Sequence, residues 1–263
     1  MDLGLKGKRA LVMGGAKGLG RSIADALAAE GAVLTISGRD VAAMEKAAGE
    51  LKALGAQGVM TVAADVSSSA EMDKLADAAV KAMGGVDILV LNHGGPPVCT
   101  ASEMTEENLV KWFQNIVVSP IRITMKLMPA MRAQKFGRVI VVGSSGMHHP
   151  IPTLALSNTL RASIWAWLKT LSAEVAADGV TMNILAPGSI RTDRITQTAA
   201  VRAEKAGTSV DAEIARAGKE VPIGRVGEPG EYGPMGAFLA GTTGAYITGT
   251  MVRVDGGRVR SML

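Results

Sequence analysis

The feature that most constrains this chain is an alternation of short apolar runs with longer stretches of helical periodicity. Seven runs rich in branched aliphatic residues recur along the 263 residues, at 9–13, 33–37, 59–63, 87–91, 138–142, 180–185 and 251–254. Each is nearly continuously hydrophobic, as is typical of strands buried on both faces of a parallel sheet. The periodicity between them predicts helices over 18–30, 41–54, 70–83, 103–131, 157–177 and 229–240. The alternation predicts an α/β fold with a doubly wound sheet of about seven parallel strands and helices on both faces.

One segment departs from this alternation. Residues 193–222 are rich in Ala and in charge, and they come late in the chain. We interpret them as an inserted, mostly helical flap that acts as a substrate lid, with a solvated helical hairpin as the alternative. No internal repeat or low-complexity linker interrupts the rest of residues 1–263, and we expect a single domain.

Composition argues against several classes of function. The chain is 48% hydrophobic with a net charge of +4, but its Lys and Arg residues are scattered among acids, and nucleic-acid binding is not expected. The single Cys99 cannot form an internal disulfide, and no His and Cys residues have metal-ligand spacing. No leader precedes Lys8, and no apolar run approaches the roughly 18 residues of a membrane span. We expect a soluble, cytoplasmic protein without a metal or a membrane partner.

A glycine-rich turn directly follows the first apolar run. Gly14, Gly18 and Gly20 lie where this run ends and the first helix begins. Glycines at such a turn let the backbone approach a diphosphate, whose charge the free N–H groups and the helix dipole stabilise. A tight turn with close helix packing is the alternative interpretation. The turn therefore predicts a dinucleotide site only together with its context.

The end of the second run supplies that context. Sites that prefer NAD usually place an acid there to bind the ribose 2′-hydroxyl, but this chain has Ser37, Gly38 and Arg39. A guanidinium can bind a 2′-phosphate, and Lys17 in the glycine turn adds a second positive charge. Asp40 is interpreted as the N-cap of the next helix. We therefore expect NADP(H) as the preferred cofactor, with NAD(H) possible as a weaker ligand.

Ser157 and Arg161 lie four residues apart at the start of a predicted helix. Residues at i and i+4 are neighbours on a helix surface, so both side chains can reach the same small volume. A chemical role is one interpretation, and a helix start with a solvated arginine is the other.

The motifs of the chain resemble those of the short-chain dehydrogenase/reductase family, most closely the type that includes the 3-oxoacyl-acyl-carrier-protein reductases. The resemblance covers essentially the whole chain and is carried by GGAKGLG (14–20), AADV (63–66), LNHGG (91–95), Asn115, GSS (143–145), LAPGSIRT (185–192) and YITGTMVRVDGG (246–257). It implies a single Rossmann domain, usually tetrameric, that transfers a hydride between NAD(P)H and a carbonyl or alcohol. A small-molecule substrate and a homotetramer are therefore expected.

The resemblance also implies roles for individual cofactor-binding residues. Asp65 and Val66 would flank the adenine, and Asn92 and Gly94 would line a ribose. The segment 187–192 would hold the nicotinamide. The full expected cofactor set is Gly14, Lys17, Gly18, Leu19, Gly20, Ser37, Arg39, Asp65, Val66, Asn92, Gly94, Arg161, Pro187, Gly188, Ile190 and Thr192. One departure is Met13, which replaces the usual Thr before the glycine turn.

The catalytic set implied by the family is Asn, Ser, Tyr and Lys. Asn115 and Ser144 match the first two, whereas the Tyr and Lys positions hold Ser157 and Arg161. The flanking sequence aligns without a gap, so a shift in register cannot restore the usual pair. We expect Asn115, Ser144, Ser157 and Arg161 to form the catalytic site, and we expect structural roles for Tyr232 and Tyr246.

The altered pair changes the expected proton chemistry. An aliphatic hydroxyl is a weaker acid than a phenol by roughly 3 pKa units, so direct donation from Ser157 would forfeit up to ~4 kcal/mol of driving force. Arg161 stays charged and cannot act as a base, but its guanidinium can bind ribose hydroxyls. His148 and His149, in the loop after Ser144, are alternative proton donors or parts of the substrate pocket, and water is another donor. His93 is expected to pack.

Two functions from different classes remain open at this stage. The first is an NADP(H)-dependent oxidoreductase acting on a carbonyl or alcohol, such as a 3-oxoacyl thioester or a small ketone. The second is a dinucleotide-binding protein with little turnover that serves as a sensor, scaffold or partner subunit. Ser144, Asn115 and the lid favour the enzyme, whereas the missing tyrosine favours the second function.

Overall fold

A seven-stranded, fully parallel β-sheet forms the centre of the protein. The computed structural model describes residues 1–262, apart from the side chains of Val201 and Lys205. The strands are β1 (Arg9–Met13), β2 (Val33–Gly38), β3 (Gly58–Ala63), β4 (Ile88–Leu91), β5 (Gly137–Val142), β6 (Val180–Pro187) and β7 (Met251–Val254). Their order across the sheet is β3-β2-β1-β4-β5-β6-β7. All seven predicted runs are strands, and the predicted fold class is confirmed.

Helices cover both faces of the sheet. In chain order they are α1 (Gly18–Ala29), α2 (Val41–Leu54), α3 (Ser69–Met83), α4 (Glu106–Phe113), α5 (Ser119–Ala133), α6 (Ala155–Val175), α7 (Asp193–Ala206), α8 (Val210–Lys219) and α9 (Pro229–Ala240). Apolar residues of α1, α2 and α9 pack on one face of the sheet, and those of α3, α5 and α6 pack on the other. The predicted α/β layering therefore holds along the whole sheet.

The two faces explain why the strands are hydrophobic throughout. Along β1, Ala10 and Val12 belong to one apolar core, while Leu11 and Met13 belong to the core on the opposite face. Successive side chains of a strand point to opposite faces, so a strand covered by helices on both sides must be apolar at every position. This burial makes the parallel sheet stable and fixes its register.

The site region lies where the strand order reverses. β1 pairs with β2 on one side and with β4 on the other. The connections leaving β1 and β4 therefore diverge to opposite faces, and a crevice forms at their carboxyl ends. The glycine turn follows β1 and the LNHGG motif contains the end of β4, so both border this crevice.

The predicted continuous helix over 103–131 is wrong in one respect. A π-helical turn, Gln114–Val118, separates α4 from α5, and a short 3-10 turn, Ala101–Glu103, precedes α4. A π turn accommodates one extra residue and shifts the helical register, so a simple periodicity of 3.6 residues cannot reveal it. Asn115 lies within this wide turn.

Residues 193–222 contain the two helices α7 and α8. They are joined at Gly207, whose φ of 63° is the left-handed conformation favoured at helix ends. Ala199, Ile214 and Val226 form a small apolar core of their own beneath these helices. The helical content of the insertion is thus as predicted. No helix within residues 1–262 combines the length and the apolar character needed to cross a membrane.

Candidate functional site

The glycine turn between β1 and α1 forms one end of the site. Gly14 and Gly18 have φ values of 61° and 60°, in the left-handed region that other residues rarely adopt. A side chain on Gly20 would collide with the Gly14 carbonyl. Lys17 is the N-cap residue of α1, and its side chain does not cap the helix. The first N–H groups of α1 are therefore left for a ligand, as a diphosphate requires.

Asn92 links this turn to the end of β4. Its Nδ2 donates to the Gly14 carbonyl across 3.4 Å. Met13 is buried in the sheet at the position where the resemblance implies Thr. Asn92 therefore braces the two loops that border the crevice, although the hydroxyl expected before the turn is absent.

Charged groups gather where β2 and β3 end. Asp40 accepts the Ala43 N–H at 3.0 Å, which confirms its N-cap role, and its other oxygen pairs with Lys17 Nζ at 2.9 Å. Arg39 is exposed, and its charge contributes to the lowered pKa of Asp65, whose main cause is the hydrogen bond from the Ser67 N–H. Lys17 therefore lies beside Asp40, the neighbour of Arg39 in the chain, and Arg39 is close enough to Asp65 for their charges to interact. This donor set fits a phosphorylated adenosine ribose.

The segment after β6 covers the glycine turn. Gly188 N–H donates to Val254 O at 2.9 Å, and a side chain there would collide with Asp255. The buried Ile190 bridges to Gly227, and Thr192 is the N-cap of α7. A Cβ atom built on Gly18 would lie 3.7 Å from the Thr192 methyl group. The 187–192 segment therefore lies against the turn from the opposite side of the crevice.

Ser144 and Ser157 lie on neighbouring elements near the end of β5. Ser144 Oγ accepts the Gly146 N–H at 3.1 Å, and Ser157 Oγ accepts the Arg161 Nε–H at 3.3 Å. Because each oxygen accepts an N–H group, each hydroxyl proton is left to be donated. Ser157 and Arg161 are only 6% and 7% exposed, so the predicted i,i+4 pair is a buried contact rather than a solvated helix start.

Arg161 is a buried cation without an acidic partner. Its Nη1 donates to the Val142 carbonyl at 2.6 Å, and within residues 1–262 Arg161 forms no ion pair with a carboxylate and no hydrogen bond from Nη2. Burial and, to a smaller extent, the positive charge of Arg194 together lower the pKa of Arg161 to about 10, while Tyr232 opposes this shift. Arg161 remains charged at neutral pH, and Nη2 is the group able to bind a ligand.

The π turn places Asn115 against α6. Its Oδ1 is buried and has no hydrogen-bond partner among the described residues. A buried acceptor of this kind is satisfied by an ordered water or by a ligand group. The adjoining Ser119 donates to the Val66 carbonyl at 2.6 Å, so the wide turn also connects to the loop expected to flank the adenine.

Comparisons with known proteins decide the family. The family model described as enoyl-(acyl carrier protein) reductase, one of the short-chain dehydrogenase/reductase models, matches residues 14–258. The chain belongs to the short-chain dehydrogenase/reductase family. It is 31% identical over 255 residues to a 2,3-dihydroxy-2,3-dihydro-p-cumate dehydrogenase of Pseudomonas putida, covering 97% of this chain and 95% of the relative. It is 32% identical over 256 residues to a 3-oxoacyl-[acyl-carrier-protein] reductase of Haemophilus influenzae, covering 96% and 98%.

A solved structure gives the same result. The L-sorbose reductase of Gluconobacter frateurii, in complex with NADPH and L-sorbose, matches with a TM-score of 0.95 at 30% identity over all of both chains. Relatives and structural neighbours are dehydrogenases and reductases, so this chain is an oxidoreductase of the short-chain dehydrogenase/reductase family. A dinucleotide-binding protein without turnover is not favoured.

Neither tyrosine of this short-chain dehydrogenase/reductase is placed to replace the residue at position 157. Tyr232 is fully buried in α9 and donates to the Leu185 carbonyl at 2.9 Å, and burial raises its pKa. Tyr246 is fully exposed. The Tyr232 hydroxyl is thus engaged with β6, and that of Tyr246 is exposed to solvent.

Two further residues of the site were not in the predicted set. Asn158 Nδ2 donates to the Ile151 carbonyl at 2.9 Å, and a side chain on Gly146 would collide with Asn158 Oδ1, so Asn158 ties the Ser144 loop to α6. Arg194, in the first turn of α7, donates to the Pro96 carbonyl at 3.2 Å. Its position two residues after Thr192 is the only sequence signal that could have identified it.

The histidines differ in their surroundings. His93 is expected to pack, and it is half-buried with Nδ1 2.9 Å from the Gly94 carbonyl. Burial and then the charge of Arg161 lower the pKa of His93 to about 3, so the ring is neutral, Nδ1 donates and Nε2 is an acceptor. His148 is half-buried with Nε2 3.2 Å from Ser261 Oγ, while His149 is exposed. No group of His, Cys, Asp and Glu within residues 1–262 could hold a metal.

Proposed function

We propose that this oxidoreductase transfers a hydride between NADP(H) and a carbonyl or alcohol substrate at the site formed by Ser144, Ser157 and Arg161. The observation that carries the proposal is the buried contact between Arg161 and Ser157 beside the end of β5. A cation without an acidic partner is costly to bury, and such costs are typical of functional sites. The substrate class includes 3-oxoacyl thioesters and small ketones.

The residues around the glycine turn fit NADP(H). The turn and the first N–H groups of α1 would bind the diphosphate, and Lys17 and Arg39 would bind the 2′-phosphate. Asp65 and Val66 would flank the adenine, Asn92 and Gly94 a ribose, and the 187–192 segment the nicotinamide. When bound, the cofactor supplies or accepts the hydride. NAD(H), which lacks the 2′-phosphate, is expected to bind more weakly.

The Ser157 and Arg161 pair would orient the carbonyl oxygen. Arg161 Nε–H donates to Ser157 Oγ, which leaves the Ser157 hydroxyl proton to be donated to the carbonyl oxygen or to a water. Donation by the cation also favours negative charge developing at that oxygen. Ser144, whose oxygen accepts the Gly146 N–H, would act in the same way, and Arg161 Nη2 would bind the nicotinamide ribose.

The proton itself would come from a group other than Ser157. Direct donation from an aliphatic hydroxyl forfeits up to ~4 kcal/mol of driving force relative to a phenol. His93 is neutral with Nδ1 engaged, so Nε2 can accept but not donate. Water held at the serine hydroxyls, with Asn115 Oδ1 as a further anchor, is the donor we favour, and His148 and His149 are alternatives.

We further infer the organisation of the whole chain. Residues 1–263 form one domain, in which the 193–222 segment acts as the substrate lid.

We propose a homotetramer because Val110, Phe113 and Met125 expose 63%, 39% and 46% of their surface on α4 and α5. Trp167 would lie near the contact. The single Cys99, which cannot form an internal disulfide, supports a cytoplasmic location for the protein. Light scattering is expected to give four chains per particle, and a monomer at micromolar concentration would contradict the proposed assembly.

Turnover measurements test the proposed function. The purified protein is mixed with NADPH and a panel of ketones, 3-oxoacyl thioesters and sugars, and loss of NADPH absorbance is followed. We expect turnover with one class and tighter binding of NADPH than of NADH. NADPH binding without oxidation by any class would overturn the enzymatic proposal and restore the sensor or scaffold function.

A further inference from the structure

Arg194 extends from the lid to the loop that follows β4. It lies in the first turn of α7, and its Nη2 donates to the Pro96 carbonyl at 3.2 Å. Its Nη1 occupies the place where a side chain at Gly95 would be, because a Cβ atom built there collides with the guanidinium. Gly95 has no left-handed φ that would require glycine. The glycine therefore leaves room for the arginine.

The position of Arg194 is on the substrate side of the crevice. The loop it contacts runs on to Cys99, whose N–H donates to Thr153 O at 3.1 Å and whose carbonyl accepts the Ala155 N–H at 3.2 Å. Ala155 is the first residue of α6, two positions before Ser157. The segment bearing Pro96 thus leads toward the reacting hydroxyls, whereas Thr192, two residues before Arg194, lies against the glycine turn.

Arg161 and Arg194 are close enough for their positive charges to influence one another. The charge of Arg194 disfavours the protonated form of Arg161. Within residues 1–262, neither arginine forms an ion pair with a carboxylate, whereas Arg9, Arg122 and Arg225 all do. An anion that lies near both the buried Arg161 and the exposed Arg194 would stabilise the two positive charges.

We propose that Arg194 binds a carboxylate of the substrate, which makes this protein selective for oxo acids and the corresponding hydroxy acids over uncharged ketones and alcohols. A guanidinium binds a carboxylate through paired N–H donors. Placed on the lid, it couples substrate charge to closure of α7 over the site. The inference rests on the proposed function and adds the substrate class.

Matched acids and esters test this assignment. Initial rates with NADPH are measured for 3-oxobutanoate and 2-oxobutanoate and for their methyl esters. Wild type is expected to prefer each acid over its ester by about 10- to 100-fold in kcat/KM, the range of one charge-assisted hydrogen bond. Arg194→Ala should abolish this preference, mainly through KM, and Arg194→Lys should keep part of it. Arg202→Ala, an exposed arginine on the same helix, is the matched control.

Gly95→Ala offers a second test with the arginine itself unchanged. The new methyl group should displace the guanidinium and reduce the acid preference severalfold, with NADPH affinity unaltered. Calorimetry of 3-oxobutanoate binding to the protein saturated with NADP⁺ gives a readout that does not depend on turnover. Binding should be present in wild type and lost in Arg194→Ala.

The outcomes separate the two proposals. Equal rates for acids and esters, or no carboxylate binding in wild type, would overturn the role of Arg194. Weaker NADPH binding by Arg194→Ala with an unchanged acid preference would assign the guanidinium to the cofactor diphosphate instead. Carboxylate binding that depends on Arg194, without turnover of any acid, ketone or thioester, would overturn the proposed hydride transfer at this site and leave the carboxylate site standing.

Discussion

The two ends of the crevice are built in different ways. At the glycine turn, one continuous strand, turn and helix supply Gly14, Gly18 and Gly20, and the ligand is expected to meet mainly backbone groups. At the other end, Ser144 and Arg161 come from different elements, and their proposed roles depend on their side chains. A backbone site tolerates change in surrounding side chains, whereas a side-chain site can be rebuilt by single substitutions. Under the proposed function, this difference would explain why the glycine turn keeps its usual spacing while Ser157 and Arg161 stand at the positions expected for Tyr and Lys.

The strongest test of this comparison removes the cation at the side-chain end. Arg161→Met is expected to lower kcat/KM by about 100-fold, because a charged donor to the ribose and to Ser157 is lost, at about 1.4 kcal/mol per tenfold. NADPH affinity should fall as well, since a ribose contact acts in the ground state and the transition state alike. Stopped-flow rates and fluorescence titration measure the two effects.

A stability measurement is the control for that variant. The lowered pKa of Arg161 means that folding disfavours its charged form at every pH below about 10, and this cost declines as pH rises through that value. Methionine removes the cost, so the melting temperature should stay within a few degrees of wild type or rise. Full activity in Arg161→Met would leave Arg161 with no role beyond packing.

A change at the backbone end should alter cofactor choice and little else. Arg39→Ala is expected to weaken NADPH binding by about 10- to 100-fold while NADH binding is unchanged, because only the 2′-phosphate contact is lost. Lys52→Ala, an exposed lysine near the end of α2, is the matched control. Equal affinities of wild type for NADPH and NADH would contradict the proposed contact of Lys17 and Arg39 with the 2′-phosphate.

Ser157→Ala should have a smaller effect. If Ser157 orients the carbonyl oxygen or a water and the proton comes from elsewhere, kcat should fall by about 3- to 10-fold with little change in NADPH affinity. Ser163→Ala, six residues further along α6, is the control, since the Ser163 hydroxyl donates to the Thr159 carbonyl of the same helix. A loss of 1,000-fold or more would instead make Ser157 the proton donor.

The pH dependence should be the least affected property. His93 is neutral above a pKa of about 3, and Arg161 remains charged until the pH approaches its pKa of about 10. With water as the proton donor, kcat/KM for reduction should be flat from pH 5 to 9 and should decline as Arg161 loses its proton. A change in kcat/KM with a midpoint near neutral pH would contradict donation by water. The same pH profile measured for His148→Phe and His149→Phe would then identify the titrating group.

The sequence alone predicted the sheet and most of the helices. Strands buried on both faces need an apolar residue at every position, so the seven runs were visible without any tertiary information. The same holds for the N-cap role of Asp40 and for the contact between Ser157 and Arg161, which a helix imposes on residues four apart. The roles of the predicted site residues toward cofactor and substrate stay predictions.

Contacts between segments distant in the chain were decided only by the tertiary structure. The π turn at Asn115, the brace from Asn92 to Gly14 and the reach of Arg194 to Pro96 leave no periodic pattern in the sequence. Local periodicity reports which face of an element is buried, because burial repeats with the geometry of that element. Which polar atoms meet across a crevice depends on loop paths and side-chain lengths, and the packed fold alone determines these.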